Sequence, residues 1–278
     1  PDPALQAMLA EWLGSIFIPS SYLKMEKALV LLGDGANGKS VVFDIINALL
    51  GRENVVNYSL QQLTDKSGYY LAGIAGKLLN YSSEAGGSFE KEIFKQLVSG
   101  EAVVGRSPYN QPITITNYAK FMVNCNTLPK SGEYTNAYYR RMLILPFHVT
   151  IPSNEQDKEL SKKIILSELP GVLNWILKGL KRLMNQKEFT YSEAAERQRN
   201  AYEEGVDTFR LFLEDNNYQP DFKIHIPLEM LHTEYGQYCI KNGYIPLGDR
   251  QFSRRLRDRL LRVTRHGAGT VVYVKKVA

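Results

Sequence analysis

The residues best suited to chemistry lie together in Gly33-Asp34-Gly35-Ala36-Asn37-Gly38-Lys39-Ser40, followed by Val41. Their spacing, Gly-x4-Gly-Lys-Ser, is the phosphate-loop pattern, in which backbone N–H groups close around phosphate oxygens. Glycine is needed because a Cβ would obstruct that approach. In such a loop Lys39 neutralises the β- and γ-phosphates and Ser40 ligates Mg2+. The helix that follows points its positive end at the anion. Residues 33 to 41 are thus expected to bind a nucleoside triphosphate with Mg2+, which alone says nothing of turnover.

Hydrolysis asks for a carboxylate at the end of a neighbouring strand to orient or activate water. Glu84 follows the run Leu78 to Tyr81 and two serines, and is expected in that role and, with Ser40, as a metal ligand. Ser83 stands where the usual acidic pair has an Asp, and a Glu that merely caps a surface turn is the competing reading. Asn126 follows the run Phe121 to Val123, where an amide could hold the attacking water or read the γ-phosphate. Asn124 would face the same side, so the sequence does not separate the two. Arg140 and Arg141 precede the run Met142 to Leu145, whose packing has no use for them. One of them suits an arginine finger, which is worth ~10^3 to 10^5 in rate in GTPases. A solvated charge pair is the alternative.

These residues need elements to position them. Ala28 to Leu32 is a short apolar run of the kind that forms a buried parallel strand, and Val41 to Leu50 reads as a helix ended by Gly51. Ser88 can cap a helix from Glu90 to Val98, stopped by Gly100. Val103 to Ile115 reads as a hairpin with Pro108 to Pro112 at its tip. Strands alternating with helices imply an α/β fold with a mostly parallel sheet. An amphipathic helix over Leu5 to Phe17 precedes the sheet. Helices over 157–166, 170–184 and 192–214 follow it. Trp12 and Trp175, on amphipathic helices, are expected core anchors. The last segment reads as helices over 228–241 and 249–261, then strands over 262–264 and 271–274 around a glycine turn. That is a winged-helix outline. The expected division is an N-terminal helix and linker (1–25), a P-loop core (26–150), a helical lid (151–215) and a basic winged-helix-like domain (216–278).

The chain has 278 residues, 44% hydrophobic and 23% charged, which excludes disorder and leaves enough apolar mass for more than one domain. No apolar run approaches the roughly 18 to 20 residues of a membrane span, so a soluble protein is expected. Cys125 and Cys239 lie far apart and the four histidines are scattered, giving neither a zinc site nor a disulfide framework. That suits a reducing cytoplasm. The chain opens Pro1-Asp2-Pro3 without an initiator Met and is expected to be a fragment of a longer protein. Residues 221–278 hold 11 basic and 5 acidic residues, and the rest 23 and 24. The positive excess therefore sits in the last segment, which points to a polyanion partner. In its second helix Arg250, Arg254 and Arg257 fall on one row, and Arg255, Arg259 and Arg262 on another. Phe252, Leu256 and Leu260 form the apolar seam between them. Both rows suit phosphate contact, and a plain basic helix or a ring-docking surface is the alternative.

Five stretches occur in order: Gly33 to Ser40, Gly76-Lys-Leu-Leu-Asn-Tyr-Ser-Ser-Glu84, Val98-Ser-Gly-Glu101, Asn126-Thr-Leu-Pro129, and Arg140-Arg-Met-Leu-Ile-Leu-Pro-Phe147. Together they resemble the superfamily 3 helicases, in particular the phage and plasmid primase–helicase branch. Glu168 to Gly179 extends the likeness into the lid. The resemblance implies an AAA+-type ATPase that uses ATP and Mg2+ and assembles as a ring, usually a hexamer, on single-stranded and forked DNA. It implies a replicative helicase, usually of 3′-to-5′ polarity, with ATP sites between subunits. Asn126 corresponds to the sensor-1 asparagine, Arg141 to the finger acting in trans, and Arg140 to a supporting charge. The hairpin takes the place of the DNA-gripping loop, where Arg106 could pair a phosphate and Tyr109 stack on a base. A turn tip without a ligand role is the alternative. A primase or primase–polymerase domain ahead of the helicase is frequent in this branch. An ATPase that remodels, packages DNA or binds origins without unwinding stays open.

Overall fold

A computed structural model describes residues 2–83, 89–128, 136–205, 208–242, 244, 246–258, 261–267 and 269–277. Glu84 and the helix cap Ser88 lie outside the described residues, as do Arg259 and Leu260. The chain forms two compact units, which divide after Tyr202.

The first unit begins with α1 (Pro3–Ser15), β1 (Ala28–Leu32), α2 (Lys39–Leu50), β2 (Val55–Val56), α3 (Leu60–Leu63), α4 (Tyr69–Gly73) and β3 (Leu79–Ser82). It continues through α5 (Lys91–Val98), β4 (Val103–Gly105), β5 (Ile113–Ile115), β6 (Lys120–Cys125), α6 (Asn136–Tyr139) and β7 (Met142–Pro146). Three more helices follow: α7 (Leu160–Ser167), α8 (Leu169–Gln186) and α9 (Glu193–Gly205). Five strands make one sheet in the order β2-β3-β6-β1-β7, with every neighbouring pair parallel. Each strand therefore needs a crossover, and the intervening helices supply it. All five residues of β1 are buried, as a continuous apolar run demands of a strand covered on both faces. Because the strands are parallel, the loops after β1, β3, β6 and β7 share one edge of the sheet. The residues that lead into β1, β6 and β7 share the opposite edge.

Asp2 caps α1 by accepting from Ala4 N (2.8 Å) and Leu5 N (3.3 Å), and Pro3 fills its first turn. The helix lies close against α8: a Cβ at Gly179 would come within 2.4 Å of the Ala10 backbone, so glycine is required there. Glu11, fully buried, accepts from Gln186 Nε2 (3.1 Å), Thr190 N (2.7 Å) and Thr190 Oγ1 (2.5 Å), and pairs with Arg182. Four donors around one carboxylate are what make a buried charge tolerable. Trp12 is 1% exposed in the core with Leu29, Leu31, Ile46 and Leu143, and its Nε1 donates to Lys27 O (3.0 Å). Removing such a side chain typically costs ~3 to 5 kcal/mol. Trp175 departs from expectation. It is 37% exposed, because Ile176, Gly179 and Leu183 carry the buried face of α8.

The single helix expected over 192–214 is two, α9 and a second beginning at Thr208. Gly205, a residue type that propagates helices poorly, closes the first. The second unit holds α10 (Thr208–Asp215), β8 (Tyr218–Pro220), β9 (Ile226–Pro227), α11 (Leu228–Lys241) and α12 (Asp249–Asp258). It ends in β10 (Val263–His266), β11 (Gly269–Val272) and β12 (Val274–Lys276). Antiparallel pairing gives a three-stranded sheet, β10-β11-β9, and a separate pair, β12-β8. Its core is aromatic: Phe209, Phe212, Tyr235 and Phe252 are each at most 1% exposed. The rings of Phe209 and Phe252 meet edge to face at 5.2 Å.

Candidate nucleotide site and nucleic-acid surfaces

β1 delivers the chain into the glycine loop at the edge of the sheet where strands end. Gly33 N donates to Cys125 O at the end of β6 (3.2 Å), and Val42 N donates to Gly38 O in the first turn of α2. Between them, no backbone N–H of residues 34–41 finds an acceptor among the described residues. Eight successive donors without a protein partner, leading into a helix N-terminus, are an anion cradle. Gly33 cannot be replaced, since a Cβ there would lie 2.2 Å from Phe147 O. Gly38 turns into α2 with φ +88°, a left-handed conformation that side chains disfavour.

Lys39 is 4% exposed and folds back over the loop. Its Nζ donates to Gly33 O (2.5 Å), Asp34 O (2.7 Å) and Asn37 Oδ1 (2.9 Å). Burial lowers its pKa, and the nearby Cys125 and Asp34 pull it back up. Asn37 Nδ2 in turn donates to Phe147 O (3.2 Å), tying the loop to the end of β7. Ser40 is exposed in the first turn of α2, and Asp34, Gly35 and Ala36 are exposed along the loop. The loop thus offers backbone donors, one amine already held in place, and an exposed hydroxyl, a set chemically suited to a polyphosphate with a hard cation.

Ser82 ends β3 with its Oγ donating to Tyr58 O (2.8 Å), and exposed Ser83 leads toward Glu84. Tyr81 on β3 stacks on Phe43 of α2, with ring centroids 3.6 Å apart. Burial raises the pKa of Tyr81, and a hydrogen bond from Asn124 opposes that shift. The two asparagines, alike in sequence, differ in place. Asn126 is exposed just past β6. Asn124 is within β6, paired in register with Leu31 of β1, and its buried Oδ1 has no hydrogen-bond partner among the described residues. A buried carbonyl oxygen left unpaired costs roughly 1 to 3 kcal/mol, so it marks a place where a polar ligand would be welcome.

The arginine pair, expected as finger (Arg141) and supporting charge (Arg140), also separates by exposure. Arg141 is 8% exposed. Its Nε and Nη2 donate to Ser99 Oγ (2.9 and 2.8 Å), its Nη1 to Ala137 O (2.5 Å), and Nη2 lies 3.6 Å from Glu26. This guanidinium is wholly engaged within its own chain. Arg140, expected as the supporting charge, is the exposed one, and among the described residues it has an ion pair to Glu26 at 3.6 Å. Both residues enter β7 from the edge opposite the glycine loop, about 16 Å away for five strand residues at ~3.3 Å each. Sequence reasoning missed Glu26 and Ser99, because nothing in their spacing tells that they meet the arginines.

Val103 to Gly105 and Ile113 to Ile115 pair as the expected antiparallel hairpin. Arg106 and Tyr109 are exposed near its tip, and Tyr109 takes φ +64° with its ring fully in solvent. In the second unit, Phe252 and Leu256 of α12 are buried while Arg250, Arg254 and Arg257 are exposed. The Arg262 guanidinium lies over the Tyr273 ring at 4.7 Å, and Lys275 pairs with Asp221 (3.2 Å). Among the described residues no cluster of His, Cys, Asp or Glu could hold a metal, and no helix is long and apolar enough to cross a membrane.

Residues 31–141, from the end of β1 to Arg141, match the model of a family of unknown function, DUF5906. The chain is similar to Putative helicase 121R of Invertebrate iridescent virus 3, with 22% identity over 88% of this chain and 29% of that protein. It is also similar to Putative helicase L207/L206 of Acanthamoeba polyphaga mimivirus, with 24% identity over 50% of this chain and 15% of that protein. The chain thus spans less than a third of either relative. Among solved structures, two of the apo A form of the NrS-1 C-terminal region cover 98% of this chain. Their TM-scores are 0.54 and 0.55, at 16% and 15% identity, over 71% and 70% of those chains. The chain therefore has a mixed α/β fold with a P-loop-like core, shared with the NrS-1 C-terminal region, and distant viral relatives that carry helicase names.

Proposed function

We propose that this chain is the motor part of an ATP-dependent DNA helicase of the superfamily 3, AAA+ type. The observation that carries this reading is the run of eight unpartnered backbone donors around the buried Lys39 amine, at the edge of the sheet where β1, β3 and β6 end. ATP is the triphosphate, cradled by residues 33–41. Mg2+, held by Ser40 and Glu84, would supply charge neutralisation at the phosphates. Glu84 orients water, and Asn126, with Asn124 behind it, reads the γ-phosphate.

Arg140 lies about 16 Å along the strand from its own loop and points to solvent, so the site it can serve is another copy's. That geometry supports ATP sites between subunits of a ring, a hexamer by the family resemblance. The finger role falls to Arg140, with Arg141 fixing the turn that presents it. Arg106 and Tyr109 on the exposed hairpin contact single-stranded DNA by phosphate pairing and stacking, which suits a motor that must pass every base. The second unit has the order helix, strand, helix, helix and two-stranded wing, which supports a winged-helix reading. The exposed arginines of α12 meet DNA phosphates there. Helices α7 to α9 serve as a lid. A replication protein with a primase–polymerase portion ahead of this motor, working 3′ to 5′ on forked DNA in the host cytoplasm, is the parent that the resemblance favours.

The test is ATP turnover per subunit against protein concentration, with and without single-stranded DNA, followed by strand displacement on a forked duplex. Turnover that rises with concentration and with DNA, together with displacement, is the expected result. Turnover independent of both would remove the shared site and the motor, leaving a nucleotide-binding protein. DNA-stimulated turnover without displacement would favour remodelling or packaging.

A further inference from the structure

At the edge of the sheet opposite the glycine loop, the root of the hairpin encloses a cavity of about 90 Å³. It is lined by the segment after α1 (Ser20), the turn before β3 (Lys77), the residue closing α5 (Gly100) and the approach to β6 (Asn117, Tyr118, Lys120). Lys77 is occupied, its Nζ donating to Glu53 O (2.6 Å), and the Tyr118 hydroxyl donates outside the cavity to Glu101 O (2.8 Å). Lys120 is different. Its Nζ meets Ser20 Oγ (2.5 Å), and among the described residues it has no carboxylate and no further acceptor. A lysine amine has three donors, so two N–H bonds remain beside a cavity large enough for several waters or one tetrahedral oxyanion.

An ammonium group drawn out of water without a counter-charge is costly, and proteins meet that cost with a paired anion or by releasing the proton. Burial alone pushes the Lys120 pKa down to about 8, so near neutrality the group is still mostly charged. The charge therefore persists where the fold supplies nothing to balance it. We infer that Lys120 and Ser20 form an oxyanion-binding site at the hairpin root, separate from the glycine loop, which takes a phosphate group. The phosphate belongs either to a free oxyanion or to a DNA backbone passing the hairpin. The site does not depend on the helicase reading.

Inorganic phosphate is the first probe, used on the Lys39→Ala chain so that the glycine loop does not mask the signal. Titrated at constant ionic strength against chloride, phosphate should raise Tm, and adding Lys120→Met should abolish the rise. Lys120→Met should itself raise Tm without phosphate, because it removes an unbalanced charge and keeps the stem, and this distinguishes loss of the site from misfolding. Crystals of the wild-type chain grown with selenate should show its anomalous peak in the cavity. A phosphate response unchanged by Lys120→Met, or selenate bound only elsewhere, overturns the inference. The source is then read from single-stranded DNA affinity against salt. A slope reduced by about one in Lys120→Met assigns the site to a DNA phosphate, and an unchanged slope assigns it to a free oxyanion.

Discussion

Each edge of the parallel sheet holds a lysine drawn out of water, Lys39 buried at one and Lys120 half-buried at the other. Lys39, where β1 ends, is met by two loop carbonyls and an amide oxygen, and its loop displays a row of backbone donors. Lys120, where β6 begins, is met by one hydroxyl. Burial lowers both pKa values, yet only the first amine sits in a frame of acceptors that fixes its position without an anion. On the proposed function the loop carbonyls stand in for phosphate oxygens, so that Lys39 would exchange partners on nucleotide binding without having to be ordered. The two arginines repeat the contrast at the opposite edge. Arg141 is buried and donates to Ser99 and Ala137, whereas Arg140 is exposed and has an ion pair to Glu26. A buried, satisfied cation holds the fold, and one with spare donors or an outward path is where a ligand or a second subunit can act.

The largest effect should come from the glycine-loop edge. Lys39→Ala should take ATP turnover below detection while leaving the melting temperature close to wild type, since the residue's partners are exposed or loop atoms. Near-normal turnover would break the contrast at its strongest point. Next comes Arg140→Ala, which should lose ~10^3 or more in turnover, the lower end of what a finger is worth. Mixing the two inactive variants should restore turnover, because an intact loop in one subunit then faces an intact Arg140 in another. Failure of mixtures to recover activity would place Arg140 outside the site. Recovery by Arg141→Ala mixtures in its stead would return the finger to the buried residue.

Arg141→Ala should act on the fold. It removes hydrogen bonds from a charged donor to Ser99 Oγ and Ala137 O, and leaves Glu26 to Lys24 and Arg140. Such bonds are worth ~1.5 to 3 kcal/mol, readable as a shift in urea midpoint. Arg140→Ala, exposed, should stay within about 0.5 kcal/mol. Equal stability losses would show that exposure does not separate the pair.

How much of this was legible in the sequence follows from range. The glycine loop is contiguous, so its residue types and spacing state the cradle directly. The strands at 28–32 and 142–146 are apolar runs, and the hairpin carries its turn residues between β-branched stretches. The two-residue strand β2 is too short for any periodicity. The order of Arg140 and Arg141 was illegible because burial is decided by Ser99 and Glu26, 42 and 115 positions away in Arg141's case. Asn124 and Asn126 share a strand face on paper, but β6 ends between them. Lys120 gave no sign, since a lone lysine at a strand start acquires meaning only when Ser20 and the hairpin root close over it.

The smallest effect, and the sharpest on the opening contrast, is the pH dependence of Lys120→Met. The folded pKa of Lys120 is lowered from 10.5 to about 8, so between those values the unfolded chain binds the extra proton. Stability then rises with pH across that window, because deprotonation relieves the folded state of an unbalanced charge. Below pH 8 wild type carries the full penalty, and above 10.5 it carries none. Lys120→Met has no proton to lose, so it should exceed wild type in unfolding free energy at pH 7 by on the order of 1 kcal/mol, with a gap that narrows steadily from pH 8 and closes above pH 10.5. Urea titrations at pH 7 and 9.5 measure the convergence. Added phosphate should erase the pH 7 difference from the other side, by balancing the charge where deprotonation would remove it. A gap that is constant in pH would mean that Met improves packing alone, and that the amine at the hairpin root is as well served as the one in the glycine loop.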